Sequence, residues 1–92
     1  MMKFIHKPIK ILLAEDNLVN KKLAVTFLQK LGYAPDWAPN GHEAFLMVQA
    51  DDYDVILMDL HMPVMDGLTA TKKIRKTLAP ERQPVIVALT AN

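Results

Sequence analysis

The residues with chemistry to offer stand at the ends of apolar runs. Ile9 to Ala14 leads into Glu15, Asp16 and Asn17, Val55 to Met58 ends in Asp59, and Val85 to Leu89 ends in Thr90. An ionised carboxylate at the end of a run as greasy as Val-Ile-Leu-Met is costly to bury unless something pairs with it or it surfaces. If the three runs are parallel strands of one sheet, Glu15, Asp16, Asp59 and Thr90 meet at one rim, where ligands of such sheets collect. Crowded carboxylates repel and raise one another's pKa unless a cation intervenes, so an acidic rim is first a cation site. Oxygen donors without a histidine or cysteine set suit Mg²⁺, which keeps several waters and takes one or two protein carboxylates. With that charge in place, Asp59 can act as a nucleophile toward phosphorus, forming an acyl phosphate, and the Thr90 hydroxyl can donate to a phosphoryl oxygen. Each residue also has a plainer role. Asp or Asn before a helix is commonly a cap, a threonine can simply end a strand, and a lone His61 reads as a loop side chain rather than a ligand.

The elements that must carry these residues alternate along the chain. After the first strand, Leu23, Ala24, Phe27, Leu28 and Leu31 recur at helical spacing and predict an inward stripe on a helix over Leu18 to Leu31, with Gly32 as its stop. Tyr33 to Ala38 reads as a short second strand, placed at an edge because Pro35 removes a ladder donor. Asn40-Gly41 marks a turn, and His42 to Gln49 reads as a helix with Ala44, Phe45 and Val48 inside. A third helix starts after Asp66, whose carboxylate can cap it, with Ala70, Ile74 and Leu78 as the inner stripe. Lys72, Lys73, Arg75 and Lys76 toward its end read as a solvated face that complements the helix dipole. The apolar runs at 55–58 and 85–89 predict strands covered on both faces. The whole is an α/β, doubly wound parallel sheet.

Bulk properties narrow the field. The 92 residues allow one domain with a modest core. Eleven Lys plus Arg against ten Asp plus Glu give a net charge of +1, which argues against a dedicated nucleic-acid binder. The absence of cysteine excludes disulfides and thiolate sites and fits a reducing compartment. No apolar stretch approaches the roughly 18 residues of a membrane span, so a soluble, cytoplasmic chain without a membrane partner is expected.

AEDN at 14–17, DVILMDLHMPVMDG at 54–67 and ALTAN at 88–92 resemble the receiver domain of two-component response regulators, in particular receivers attached to hybrid histidine kinases. The resemblance implies a flavodoxin-like receiver fold and a phosphoacceptor signalling domain rather than an enzyme. By it, Asp59 accepts a phosphoryl group from phosphohistidine, Asp16 and Asp59 bind Mg²⁺ directly, and Glu15 helps through water. The backbone carbonyl of His61 is a further metal ligand, and Thr90 follows the phosphoryl group as a switch. Pro63 and Gly67 shape the adjoining loop, Pro63 by fixing φ and Gly67 by allowing close backbone approach. The implied partner is a histidine kinase or histidine phosphotransfer domain, docking where the first helix begins, with Val19, Lys22 and Leu23 as contact candidates.

Measured against that family, residues 1–92 are expected to form a C-terminally incomplete receiver, lacking the last helix-strand-helix portion and its lysine. The strand at 85–89 is then expected to be an open edge that invites self-association or a swapped dimer. Two other readings stand beside the phosphoacceptor: a receiver-derived interaction module that is never phosphorylated, and an aspartyl-phosphate phosphatase. The phosphatase pattern places a second aspartate two residues after the nucleophile, where this chain has His61. The glycine-rich turn of a dinucleotide-binding fold is replaced by AEDNLVN.

Overall fold

A computed structural model describes residues 8–89; Thr90 lies outside the described residues. Four strands form one parallel sheet in the order β2-β1-β3-β4, with β1 at Ile11–Ala14, β2 at Asp36–Ala38, β3 at Val55–Asp59 and β4 at Val85–Leu89. Helices α1 (Leu18–Lys30), α2 (Gly41–Ala50) and α3 (Gly67–Thr77) make the crossovers, and a short 3₁₀ turn at Pro80–Arg82 precedes β4. Registers of Ile11 on Val55 and Asp59 on Leu89 bring the carboxyl ends of β1, β3 and β4 to a common rim.

Local chemistry sets the boundaries. Asn17, Asn40 and Asp66 each cap a helix by accepting the backbone N–H three residues on, at 2.9, 2.9 and 2.7 Å. Gly32, at φ +94°, takes the left-handed turn that ends α1. Pro35 lies just outside β2, which is an edge strand as its proline suggested. The 3₁₀ turn was not anticipated; Pro80 at its first position has no N–H to lose there.

From β1 the chain moves to one side for β2 and then reverses for β3 and β4. Right-handed crossovers therefore place α1 on one face and α2 with α3 on the other. Beneath α2 and α3 lies the core of Leu12, Ala14, Ala38, Ala44, Val48, Tyr53, Ile56, Met58, Ala70, Ile74 and Leu78. The inner stripe read for α3 thus buries as expected, and that of α2 buries at Ala44 and Val48 while Phe45 is only half-buried against the cluster.

The stripe read for α1 does not. Leu23, Phe27 and Leu31 are 66, 63 and 58% exposed, while Ala24 and Leu28 are half-buried. Helical periodicity reports an apolar side without saying how wide its cover is. Among the described residues α1 is alone on its face, so only a narrow strip meets the strands and its flank stays in solvent. Among the described residues β4 is an edge strand, as expected for 85–89, and the cover on both faces that its apolar run suggested is what is missing: Val85 and Val87 are exposed while Ile86 packs on the core.

Candidate functional site

The rim gathers three of the residues singled out by sequence. Glu15 follows β1 and continues the ladder through its N–H to the Ala38 carbonyl at 3.0 Å, and Asp59 ends β3. Both are 5% exposed, whereas Asp16 faces solvent. One carboxylate oxygen from each of Glu15, Asp16 and Asp59 lies within 4.8 Å of the others, which makes this the one acid, histidine or cysteine group of that kind among the described residues. Glu15 and Asp59 open into a shallow cleft of about 380 Å³ bounded by Asn20, Leu23, Ala24, Phe27 and Leu89.

Backbone donors aim the acids. His61 N–H donates to Asp59 Oδ1 at 3.1 Å, and Asn17 N–H donates to Glu15 Oε2 at 3.2 Å. The His61 residue itself is exposed. Gly67 explains how α3 can start so close to the end of β3. A Cβ there would collide with the Asp59 carbonyl oxygen and stand 2.8 Å from Met58 Cγ.

Electrostatically the site is unbalanced. Burial and the adjacent Asp59 carboxylate push Glu15 from its ordinary 4.5 up to about 7, against the opposing pull of the Asn17 N–H. Two poorly hydrated carboxylates side by side favour a proton or a cation between them. For an acid whose pKa is raised on folding, the stabilisation is complete below the unfolded value and is lost as pH rises through the folded one. With divalent cations chelated, the melting temperature should therefore fall as pH is raised from about 6 to about 8, and millimolar Mg²⁺ should flatten that decline. Calorimetry over that range with chelator or Mg²⁺ checks this; an unchanged profile in chelator refutes it.

Trp37, on β2, was missed in the sequence. Its indole Nε1–H donates to the Glu15 backbone carbonyl at 2.7 Å, and Lys21 Nζ lies 3.7 Å from its ring centroid. No periodicity marks that role, because it depends on β2 pairing with β1.

Over residues 11–92 the sequence matches the response regulator receiver domain. The chain belongs to that family. Receivers of this kind serve two-component signalling, and hybrid histidine kinases carry similar segments. Histidine protein kinase 1 of Candida albicans is 46% identical over 92% of this chain. Hybrid signal transduction histidine kinase H of Dictyostelium discoideum is 45% identical over 99% of it. This receiver spans only 4 and 7% of those relatives' lengths. Among solved structures, the receiver domain of a Pseudomonas aeruginosa sensor histidine kinase, with a magnesium ion coordinated in its active-site cleft, superposes with a TM-score of 0.84. It is 42% identical, and the match covers 94% of this chain and 70% of that one. A chain from the co-crystal structure of the Saccharomyces cerevisiae histidine phosphotransfer protein Ypd1 with the receiver domain of Ssk1 gives 0.81 at 32% identity, covering 97 and 68%. The four-stranded parallel sheet with three helices is thus the receiver fold.

Proposed function

We propose that this receiver takes a phosphoryl group from phosphohistidine onto Asp59 in a phosphorelay, with Glu15, Asp16, Asp59 and the His61 backbone carbonyl as the residues that hold Mg²⁺. The observation that carries this reading is the meeting of three carboxylates within 4.8 Å, two of them nearly buried. Such a donor set of hard oxygens fits Mg²⁺ and leaves positions for water and substrate oxygens. When bound, the ion would supply positive charge against the acids and the phosphoryl oxygens.

The chain's own residues do the rest. The His61 N–H holds one oxygen of Asp59, which fixes the carboxylate and leaves the other oxygen to attack phosphorus. An oxygen–phosphorus bond forms at Asp59 as the phosphorus–nitrogen bond of the donor breaks, and the imidazole leaves with the electron pair. Thr90, next in sequence after β4, is assigned the hydroxyl that donates to a phosphoryl oxygen. The domain is taken as residues 1–92 and the compartment as the cytoplasm; no helix among the described residues is long and apolar enough to cross a membrane.

The partner is a histidine kinase or a histidine phosphotransfer domain, docking where α1 begins beside the rim. Leu18, Val19 and Leu23 are 66, 67 and 66% exposed there, with Lys22 exposed among them. The Ypd1 co-crystal structure supports that class of partner for a similar chain. The reading is tested by incubating the chain with a phosphorylated histidine phosphotransfer domain, or with acetyl phosphate and Mg²⁺. A chelator-sensitive, hydroxylamine-labile phosphoprotein is expected. Its absence would favour an interaction module that is never phosphorylated.

The β4 edge is assigned a second partner, another copy of this chain, because its backbone groups have no neighbour on one side among the described residues and Val85 and Val87 are exposed. Light scattering at high protein concentration should find a dimer, and Val87→Lys should return it to monomer. A monomeric parent at that concentration refutes the assignment.

A further inference from the structure

The loop from Leu60 to Asp66, which follows the acceptor strand, is closed at its base by Gly67 N–H on the Leu60 carbonyl at 3.2 Å. At its tip Val64 holds φ +68°, and Met65 N–H donates to the Pro63 carbonyl at 2.7 Å. That is a γ-turn with a positive φ, a rare and strained form, centred on a β-branched residue that is 83% exposed. Exposed valine gains nothing from burial there, so the turn must be imposed by contacts on either side.

One such contact comes from α2. Gly41, its first residue, donates its N–H to the Met65 carbonyl at 2.9 Å. The fit leaves no space for a side chain. A Cβ on Gly41 would collide with the Met65 oxygen and lie 2.9 Å from the Asp66 oxygen and 3.0 Å from the Met65 carbonyl carbon. All three are main-chain atoms, which cannot step aside as a side-chain tip can. The same loop carries the His61 N–H that holds Asp59 Oδ1.

We infer that Gly41 is a positioning residue for Asp59: by seating the Met65 carbonyl against a bare α-carbon it keeps the 60–66 loop in its strained form, and so sets the His61 main chain against the acceptor carboxylate. The inference rests on the phosphoacceptor reading of Asp59 given above. The atoms that a Cβ at Gly41 would meet are main-chain atoms of Met65 and Asp66, and Gly41 is not one of the clustered acids, so its influence is exerted through the loop.

Two measurements test it. Gly41→Ala should slow phosphorylation by acetyl phosphate about tenfold and raise several-fold the Mg²⁺ concentration that half-changes the fluorescence of Trp37, whose indole is bonded to the Glu15 main chain. Adding Val64→Gly, which accepts positive φ freely, should restore part of that loss by letting the loop absorb the displaced carbonyl. A purely structural glycine would lower stability without such rescue. The second measurement needs no variant. Because coupling is reciprocal, Mg²⁺ with beryllofluoride should slow amide exchange at Gly41 several-fold beyond any change at Leu78, whose N–H caps the far end of α3. Wild-type rate and Mg²⁺ dependence in Gly41→Ala overturn the inference, as does equal exchange at Gly41 and Leu78 should that variant fail to fold. Wild-type protein that neither gains phosphate nor responds to Mg²⁺ overturns the phosphoacceptor reading and this inference with it.

Discussion

If Asp59 is the proposed phosphoacceptor, Asp59→Asn should leave the chain folded and suppress acyl-phosphate formation by at least about a thousandfold, the scale on which loss of a nucleophile is felt. The amide keeps the volume of the carboxyl group and an oxygen to accept the His61 N–H, now at 3.1 Å from Asp59 Oδ1, so the local geometry has no cause to change. What disappears is the charged oxygen that would attack phosphorus. The substitution also removes a carboxylate that keeps Glu15 above its ordinary range, so part of that displacement should relax. Without Mg²⁺ the variant should then be more stable than the parent at about pH 8, where the crowding of charge is greatest. Intact-mass spectrometry after exposure to phosphodonor, with melting curves in chelator, checks both halves. Phosphorylation of Asp59→Asn at the parental rate would move the acceptor elsewhere.

The largest loss of stability is expected at Ile74→Ala. Ile74 is fully buried at the middle of the α3 stripe, within the cluster that includes Ile56, Met58 and Ala70. Truncation removes transfer energy and leaves a cavity that the neighbouring helix and strand cannot fill, together about 2–5 kcal/mol. A small domain has roughly 5 kcal/mol or slightly more to lose, so the urea midpoint should drop steeply with little change in slope. Ile74 belongs to the core cluster and not to the residues lining the acidic cleft, so on the proposed reading the fraction that remains folded should still accept phosphate. A midpoint within error of the parent would mean that α3 is not the keystone of this core.

Much of this was legible before the fold was seen. Asp59 drew notice because a carboxylate after Val-Ile-Leu-Met conflicts with burial, and conflicts of that sort mark working sites. The caps at Asn17 and Asp66 and the inner stripes of α2 and α3 follow from local chemistry that neighbours in sequence decide. The α1 stripe failed because Leu23 and Phe27 have the right spacing but no second helix beside them among the described residues. The edge position of β4 was expected, but its apolar run alone suggested cover on both faces, because an edge strand and a central one can share the same run. Gly41 was read only as part of a turn and Trp37 only as part of a strand; their contacts beside the site could not be read, since each depends on a partner brought near by folding: the Met65 carbonyl in one case and the Glu15 carbonyl in the other.

The all-parallel sheet also dictates the order of events during folding. No strand can pair with its predecessor through a tight hairpin, and β1 must wait for β3 across an intervening helix, a strand and a second helix. The backbone N–H of Lys10 meets the Asp54 carboxylate across 44 positions just below that pairing. Closing so long a loop costs entropy before any contact offsets it, so assembly is slow relative to a helical bundle of similar size. On a ribosome, Glu15 and Asp16 emerge well before Asp59, and the first strand stays without its central neighbour until β3 follows. The three acids therefore come together only in a chain that has made its central β1–β3 pairing, so the site cannot form ahead of that long-range contact.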